Sequence, residues 1–356
     1  MESGISVAET AEQMTGPADG NLEDGVIIRA NGLTRVFNHG LVAVDHVTFE
    51  VKQGEIFGFL GPNGAGKTTT INMLITVLRP TEGTASVCGY DLTKEANMVR
   101  NYIGVVPQEY TADEDLTGLE NILLCADLYG IPREVSKKRA DELLELVELT
   151  SFKDKRVDTY SGGMRRRLEL ACGLINRPRV LFLDEPTLGL DVQTREATWN
   201  YIKKLKQEYG MTLFMTTHYL EEADTLCDRI AIIDHGKILV VGSPDDLKSA
   251  LGGDIITLGV EGESDITDLI RGLENVKEVR KQNGMYLIKA EKGDITAPII
   301  IEALRRNGHT VTRLSLTRPT LNEVYLDYTG KSMRDVEESK EEFRAQRMTL
   351  RRARGR

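Results

Sequence analysis

The chain has 356 residues, 40% of them apolar, and a formal net charge of −10. That length suits one large domain with a smaller one, and the apolar share supports packed cores. The acidic balance argues against a protein whose main work is gripping nucleic acid, and no apolar run nears the roughly 20 residues needed to cross a bilayer. Cys88, Cys125, Cys172 and Cys227 are scattered without a C-x-x-C pair, which points away from a zinc site or disulfide scaffold and toward a reducing cytoplasm.

Residues 1–24 are small, polar and acidic, the composition of a disordered tail. Val26-Ile27-Ile28, Val42-Ala43-Val44 and 47–51 then read as short antiparallel strands, broken at Asn38-His39-Gly40 and Gln53-Gly54. Phe37, in the first of these turns, can stack on a purine base or simply anchor a hairpin, and spacing leaves both open.

Next comes the run Gly61-Pro62-Asn63-Gly64-Ala65-Gly66-Lys67-Thr68, with apolar 56–60 before it and a helical pattern over 69–78 after it. Its glycines let the backbone aim several N–H groups inward, and the helix adds its positive end to the same spot. This is a seat for a polyphosphate. Lys67 is placed to reach the β- and γ-phosphates, the Thr68 hydroxyl to take one position on Mg²⁺, and Thr69 to donate to the α-phosphate. Residues 85–88 suggest another strand, and Ile103-Gly104-Val105-Val106 a buried one. Gln108 follows at that strand's end, either among ligand groups or as a solvated loop residue.

From about 110 to 178 the pattern is helical, with Leu143, Leu144, Val147 and Leu149 on one face. Within it lies Tyr160-Ser161-Gly162-Gly163-Met164, where Ser161 is a good N-cap and the two glycines leave N–H groups open to an anion. Arg165, Arg166 and Arg167 read as a solvated helix face in preference to a nucleic-acid patch.

The continuous apolar run Val180-Leu181-Phe182-Leu183 predicts a central parallel strand, with Asp184 and Glu185 at its tip. In a sheet that also carries the phosphate seat, Asp184 can hold Mg²⁺ through water and Glu185 can accept the proton of the water that attacks the γ-phosphate. Asp191 follows in a turn, then a helix over about 194–208 and a strand over 212–217 ending at His218. That histidine can hydrogen-bond a γ-phosphate or serve as a cap. Two runs, 230–233 and 238–241, close as a hairpin. Residues 254–328 read β-α-β-β-α-β, a small ferredoxin-like α+β unit. The charged segment 331–356, basic at its end, suits contact with anionic lipid or simple solvation.

The ordered set Gly61 to Thr68, Gln108, Ser161-Gly162-Gly163, Asp184-Glu185, Asp191 and His218 resembles an ATP-binding-cassette ATPase over residues 26–245. The resemblance implies a P-loop, RecA-like α/β core over 25–250, with an antiparallel β subdomain and a helical subdomain at about 110–178. An accessory domain over 251–330 would follow. It implies ATP and Mg²⁺ as ligands, with Gln108 joining Thr68 and Asp184 at the metal and joining Glu185 and His218 in the chemistry. Phe37 takes the adenine-stacking place, where the family more often has tyrosine. Ser161, Gly162, Gly163 and Asp191 would meet nucleotide on a second cassette, in a homodimer or beside another cassette chain. The stretch 318–330 resembles the C-terminal extension of daunorubicin-exporter ATPases. That implies a motor at the cytoplasmic face of the membrane, driving a separate multispan permease that moves drugs, lipids or polysaccharide outward. The permease would dock in a groove beside Gln108 and the helical insert. The competing readings are a non-transport cassette ATPase of DNA repair or translation, and an importer ATPase.

Overall fold

Residues 23–261, 265–282 and 285–329 are described by the structure, a computed structural model. They divide between Val241 and Gly242 into two units. The expected tail lies outside the described residues up to position 22; Glu23 and Asp24 open a 3-10 turn, Glu23–Gly25. The segment 331–356 also lies outside them.

The first unit begins with β1 (Val26–Phe37) and β2 (Leu41–Lys52), paired antiparallel. The three short strands expected here are two ribbons of 12 residues each. Register shifts between Ala30 and Arg35 let β1 bend without ending, while the expected breaks fall outside the strands, Asn38–Gly40 in the 3-10 turn between them and Gln53-Gly54 after β2. Then follow β3 (Ile56–Leu60), α1 (Lys67–Leu74), β4 (Glu82–Val87) and β5 (Tyr90–Asp91). Strands β4 and β5 complete a sheet of order β2-β1-β4-β5.

After α2 (Ala96–Tyr102) and β6 (Ile103–Val106) the helical insert comprises α3 (Gly118–Leu128), α4 (Arg133–Leu146) and α5 (Gly162–Leu174). A capping box starts α3: the Thr117 hydroxyl accepts from the Glu120 amide, and the Glu120 carboxylate accepts from the Thr117 amide at 2.8 Å. The chain returns through β7 (Val180–Asp184), α6 (Val192–Tyr209), β8 (Thr212–Thr217), α7 (Leu220–Leu226), β9 (Arg229–Asp234) and β10 (Lys237–Gly242).

The second sheet has the order β10-β9-β3-β8-β7-β6. Strand β7 is wholly buried, as its unbroken apolar run requires, but lies one place in from the edge. Strands β9, β3, β8, β7 and β6 are joined by parallel pairings, and the register sets Leu60 opposite Thr217, Asp184 opposite Thr216, and Val106 opposite Leu183. Their C-terminal ends therefore finish level, at one rim of the sheet.

The two sheets face each other across a cluster of phenylalanines. Phe49 of β2 packs on Phe59 of β3 with ring centroids 5.0 Å apart and on Phe214 of β8 at 5.9 Å, while Phe182 of β7 meets Phe214 at 5.5 Å. Such pairs add about 0.5–1.5 kcal/mol each beyond the area they bury.

The second unit runs α8 (Pro244–Ala250), β11 (Asp254–Val260), α9 (Thr267–Arg271), β12 (Val276–Gln282), β13 (Met285–Ala290), α10 (Gly293–Arg306), β14 (Val311–Thr317) and α11 (Leu321–Thr329). Its sheet, of order β12-β13-β11-β14, is antiparallel throughout. Split β-α-β connections of this kind leave the first and third strands in the middle, the ferredoxin-like arrangement. It has its own core, in which Ile256, Leu258, Ile288, Ile300 and Leu304 are fully buried.

Candidate nucleotide site

The rim where the parallel strands end carries the chemistry-bearing residues of the first unit. Past β3 the chain turns through the glycine-rich loop into α1, whose N-cap, Gly66, adopts φ 107°. An L-side chain is strained there, and a Cβ at Gly66 would lie 2.5 Å from the Ala43 carbonyl oxygen, so only glycine lets this loop close against β2. The loop is pinned from outside, with the Gly61 amide donating to the Thr217 carbonyl at 3.2 Å and the Gly236 amide to that of Ala65 at 2.9 Å. Asn63 and Gly64 face solvent at its tip.

Lys67 is 4% exposed. Its Nζ donates to the Gly61 carbonyl at 2.7 Å and to Pro62 at 3.3 Å, and lies 3.1 Å from Oε1 of Glu185. The other carboxylate oxygen of Glu185 is 3.0 Å from Nδ1 of His218. Three sequence-predicted residues, one opening α1 and two just past the ends of β7 and β8, thus form one chain, Lys67–Glu185–His218. Burial raises the Glu185 pKa, but the His218 hydrogen bond and the Lys67 ammonium outweigh it and hold the carboxyl below its ordinary range. Glu185 is held there at φ 48°, just before Pro186, its amide donating to the Thr216 hydroxyl at 3.0 Å and to the Thr216 carbonyl at 3.2 Å.

Beside it Asp184 accepts from the Thr68 hydroxyl at 3.3 Å and from the Thr216 hydroxyl. Here burial wins over those bonds and pushes the carboxyl above its ordinary range. A buried carboxylate next to a threonine hydroxyl is a hard-oxygen donor set. It suits Mg²⁺, an ion that takes one or two carboxylates and completes its shell with water and phosphate. Thr69 is half-buried on the first turn of α1.

The remaining expected residues sit elsewhere. Gln108 is exposed, two residues beyond the end of β6 at the same rim. Ser161 caps α5, accepting from the Met164 amide at 3.3 Å. Asp191 caps α6, accepting from the Thr194 amide at 3.0 Å and hydroxyl at 2.7 Å. A Cβ on Gly163 would lie 2.5 Å from Cγ2 of Thr194, so these two capped helix starts pack directly against one another, with Gly162 exposed beside them. Phe37 ends β1 half-buried, and the guanidinium of Arg35 stands 4.8 Å from its ring centroid.

The arginine triplet departs from expectation. Arg166 is 1% exposed, not solvated. Arg165 is held by Glu114 and the Asp158 carbonyl, and Arg167 donates to the Val147 carbonyl at 3.1 Å. Two residues that sequence reasoning passed over also shape the site. Thr216 touches both acidic residues; its signal was its place on the neighbouring strand, one residue before the end. Glu222, fully buried, accepts from the Thr187 hydroxyl at 2.7 Å and from the Trp199 indole at 2.9 Å, tying the loop after Glu185 to α6 and α7. No spacing announces it.

A family model described as ABC transporter matches residues 44–188, and one described as ATP-binding protein DrrA1-3-like, C-terminal domain, matches 242–329. The chain is 38% identical over 316 residues to the doxorubicin resistance ATP-binding protein DrrA of Mycobacterium tuberculosis, covering 86% of this chain and 94% of the relative. It is 40% identical over 320 residues to the daunorubicin/doxorubicin resistance ATP-binding protein DrrA of Streptomyces peucetius, covering 88% and 96%. With the Nod factor export ATP-binding protein I of Sinorhizobium fredii the identity is 37% over 295 residues, covering 83% of each. Among solved structures it is similar to an ATP-binding cassette in a dimeric post-hydrolysis state bound to ADP and Pi, with a TM-score of 0.56 and 29% identity over 61% of this chain and 98% of that one.

Proposed function

The chain belongs to the ATP-binding-cassette ATPase family, and from that premise we propose a residue-level account of how it turns ATP into work on a membrane partner. It is the ATP-hydrolysing motor of an exporter. None of its described helices is long and apolar enough to cross a membrane, and the exporter relatives point to a separate permease as the pathway for cargo.

The observation that carries the chemistry is the Lys67–Glu185–His218 chain beside the Thr68–Asp184 pair. Lys67 exchanges its carbonyl and carboxylate partners for β- and γ-phosphate oxygens. Loop amides and the start of α1 hold the remaining phosphate charge, with Thr69 on the α-phosphate. Mg²⁺, when bound through Thr68, Asp184 and Gln108, supplies charge neutralisation for the departing phosphate. Glu185, ionised at neutral pH, accepts the proton of the attacking water, and His218 holds both its carboxylate and the γ-phosphate. Phe37 stacks on the adenine. Ser161, Gly162, Gly163 and Asp191 complete the site on a second copy of the chain, which the dimeric relative supports. Glu185→Gln tests this directly: nucleotide affinity stays within a few-fold while turnover falls by about 10²–10⁴. Normal hydrolysis by that variant removes Glu185 as the base.

The permease meets the first unit at an apolar cleft of about 430 Å³ lined by Ile75, Val77, Ile103, Val105, Leu128 and Tyr129. Leu128 is 81% exposed and Val77 67%, an apolar surface that suits a short amphipathic helix. The cargo is a drug-like compound, as the doxorubicin- and daunorubicin-resistance names of the relatives and the second unit's DrrA-like match suggest. The protein works at the cytoplasmic face of the membrane, held there by the permease.

A further inference from the structure

We propose that Arg166 and Glu169 are positioning residues for Gln108, fastening the loop 107–112 to the helix that begins at Gly162 so that loop and helix move as one body. The two side chains stand three apart on α5 and so share a face. The Arg166 guanidinium donates to the Pro107 carbonyl at 2.8 Å and to that of Gln108 at 2.9 Å, and lies 5.0 Å from the Tyr110 ring centroid. Glu169, 2% exposed, receives the Thr111 amide at 2.6 Å, the Ala112 amide at 2.8 Å and the Thr111 hydroxyl at 2.9 Å. Tyr110 closes the frame, its hydroxyl donating to the Gly162 carbonyl at 3.2 Å.

A helix face that needed only packing would carry apolar residues here, because burying a guanidinium is costly unless its donors are used. This one is spent on two successive backbone carbonyls in a fork that an ammonium cannot reproduce, while its Nε is buried without a partner. The Gln108 side chain is exposed, but its backbone is clamped from behind. Displacement of Ser161-Gly162-Gly163 by a second cassette is thereby passed to Gln108. The inference rests on the reading of Gln108 as a group that meets the nucleotide's metal or water.

The test is a double-mutant cycle on the full chain, with steady-state ATP hydrolysis and amide hydrogen exchange as readouts. Arg166→Met and Gln108→Ala should each lower kcat at least tenfold with the KM for ATP within twofold, and the double variant should be no slower than Gln108→Ala alone. Multiplying losses in the double variant, or full turnover in Arg166→Met, would overturn the proposal. Should Arg166→Met not fold, Arg166→Lys is read in the same cycle. Glu169→Gln should speed exchange at Thr111 and Ala112 at least tenfold with the rest of α5 unchanged; unchanged exchange at those two amides sinks the clamp. Full turnover in Gln108→Ala would instead overturn the role of Gln108 and leave the clamp to be judged by exchange alone.

Discussion

Glu185 gathers the site's opposing forces in one residue. Its left-handed backbone before a proline costs on the order of 1–3 kcal/mol, a strain held by the Thr216 bonds and the Lys67–His218 pairing. Because its folded pKa is lowered from the ordinary 4.5, ionised Glu185 contributes stability that is present above that value and lost as pH falls through the folded one. Protonation makes the side chain resemble glutamine. The melting-temperature deficit of nucleotide-free Glu185→Gln relative to the parent should therefore be largest near neutral pH and shrink as pH falls below the ordinary 4.5 and through the folded value; a deficit independent of pH would contradict the pairing. Lys67→Ala removes the charge-assisted bonds to phosphate, worth about 1.5–3 kcal/mol, so ATP affinity should fall roughly 10–100-fold in a direct binding titration. Unchanged affinity would count against the phosphate seat. Glu185 could be found in the sequence because it stands where an apolar run stops, and Lys67 because it closes the glycine-rich run Gly61 to Thr68. Arg166 left none: a buried arginine bonded to backbone carbonyls has the same spelling as a solvated one, and its partners lie nearly 60 positions away.

At the scale of the element, capping explains why the helical insert starts where it does. The Thr117–Glu120 box satisfies donors at both positions of the first turn of α3. Thr117→Ala should cost about 1 kcal/mol in denaturant unfolding while leaving ATP affinity unchanged, since the cap touches no phosphate ligand. A loss of affinity would show that the insert and the phosphate seat are coupled in the free protein. The insert, the parallel strands and the β-α-β-β-α-β order of the second unit were all legible from hydrophobic periodicity. The full length of β1 and β2 was not, because the register shifts between Ala30 and Arg35 interrupt the alternation by which a strand is read. The closing helix α11 was also missed. Its buried residues are Leu321, Val324 and Tyr325, too few turns for a period to emerge.

Among the described residues, one hydrophobic cluster joins the sheets of the first unit and another lies within the second. Two units, each with a cluster of its own, predict two thermal transitions, of which ATP with Mg²⁺ raises only the one belonging to the first unit. A single transition that moves as a whole would contradict this independence. The residues proposed for catalysis all lie in the first unit. Membership of the exporter branch makes the partner the decisive question. The most direct measurement is co-purification from detergent-solubilised membranes with Glu185→Gln chain saturated with ATP and Mg²⁺, followed by identification of what is retained. A hydrophobic multispan protein, released when the nucleotide-free chain is used, is the expected result; retention of a ribosome, DNA or a purely soluble complex in its place would contradict an exporter motor.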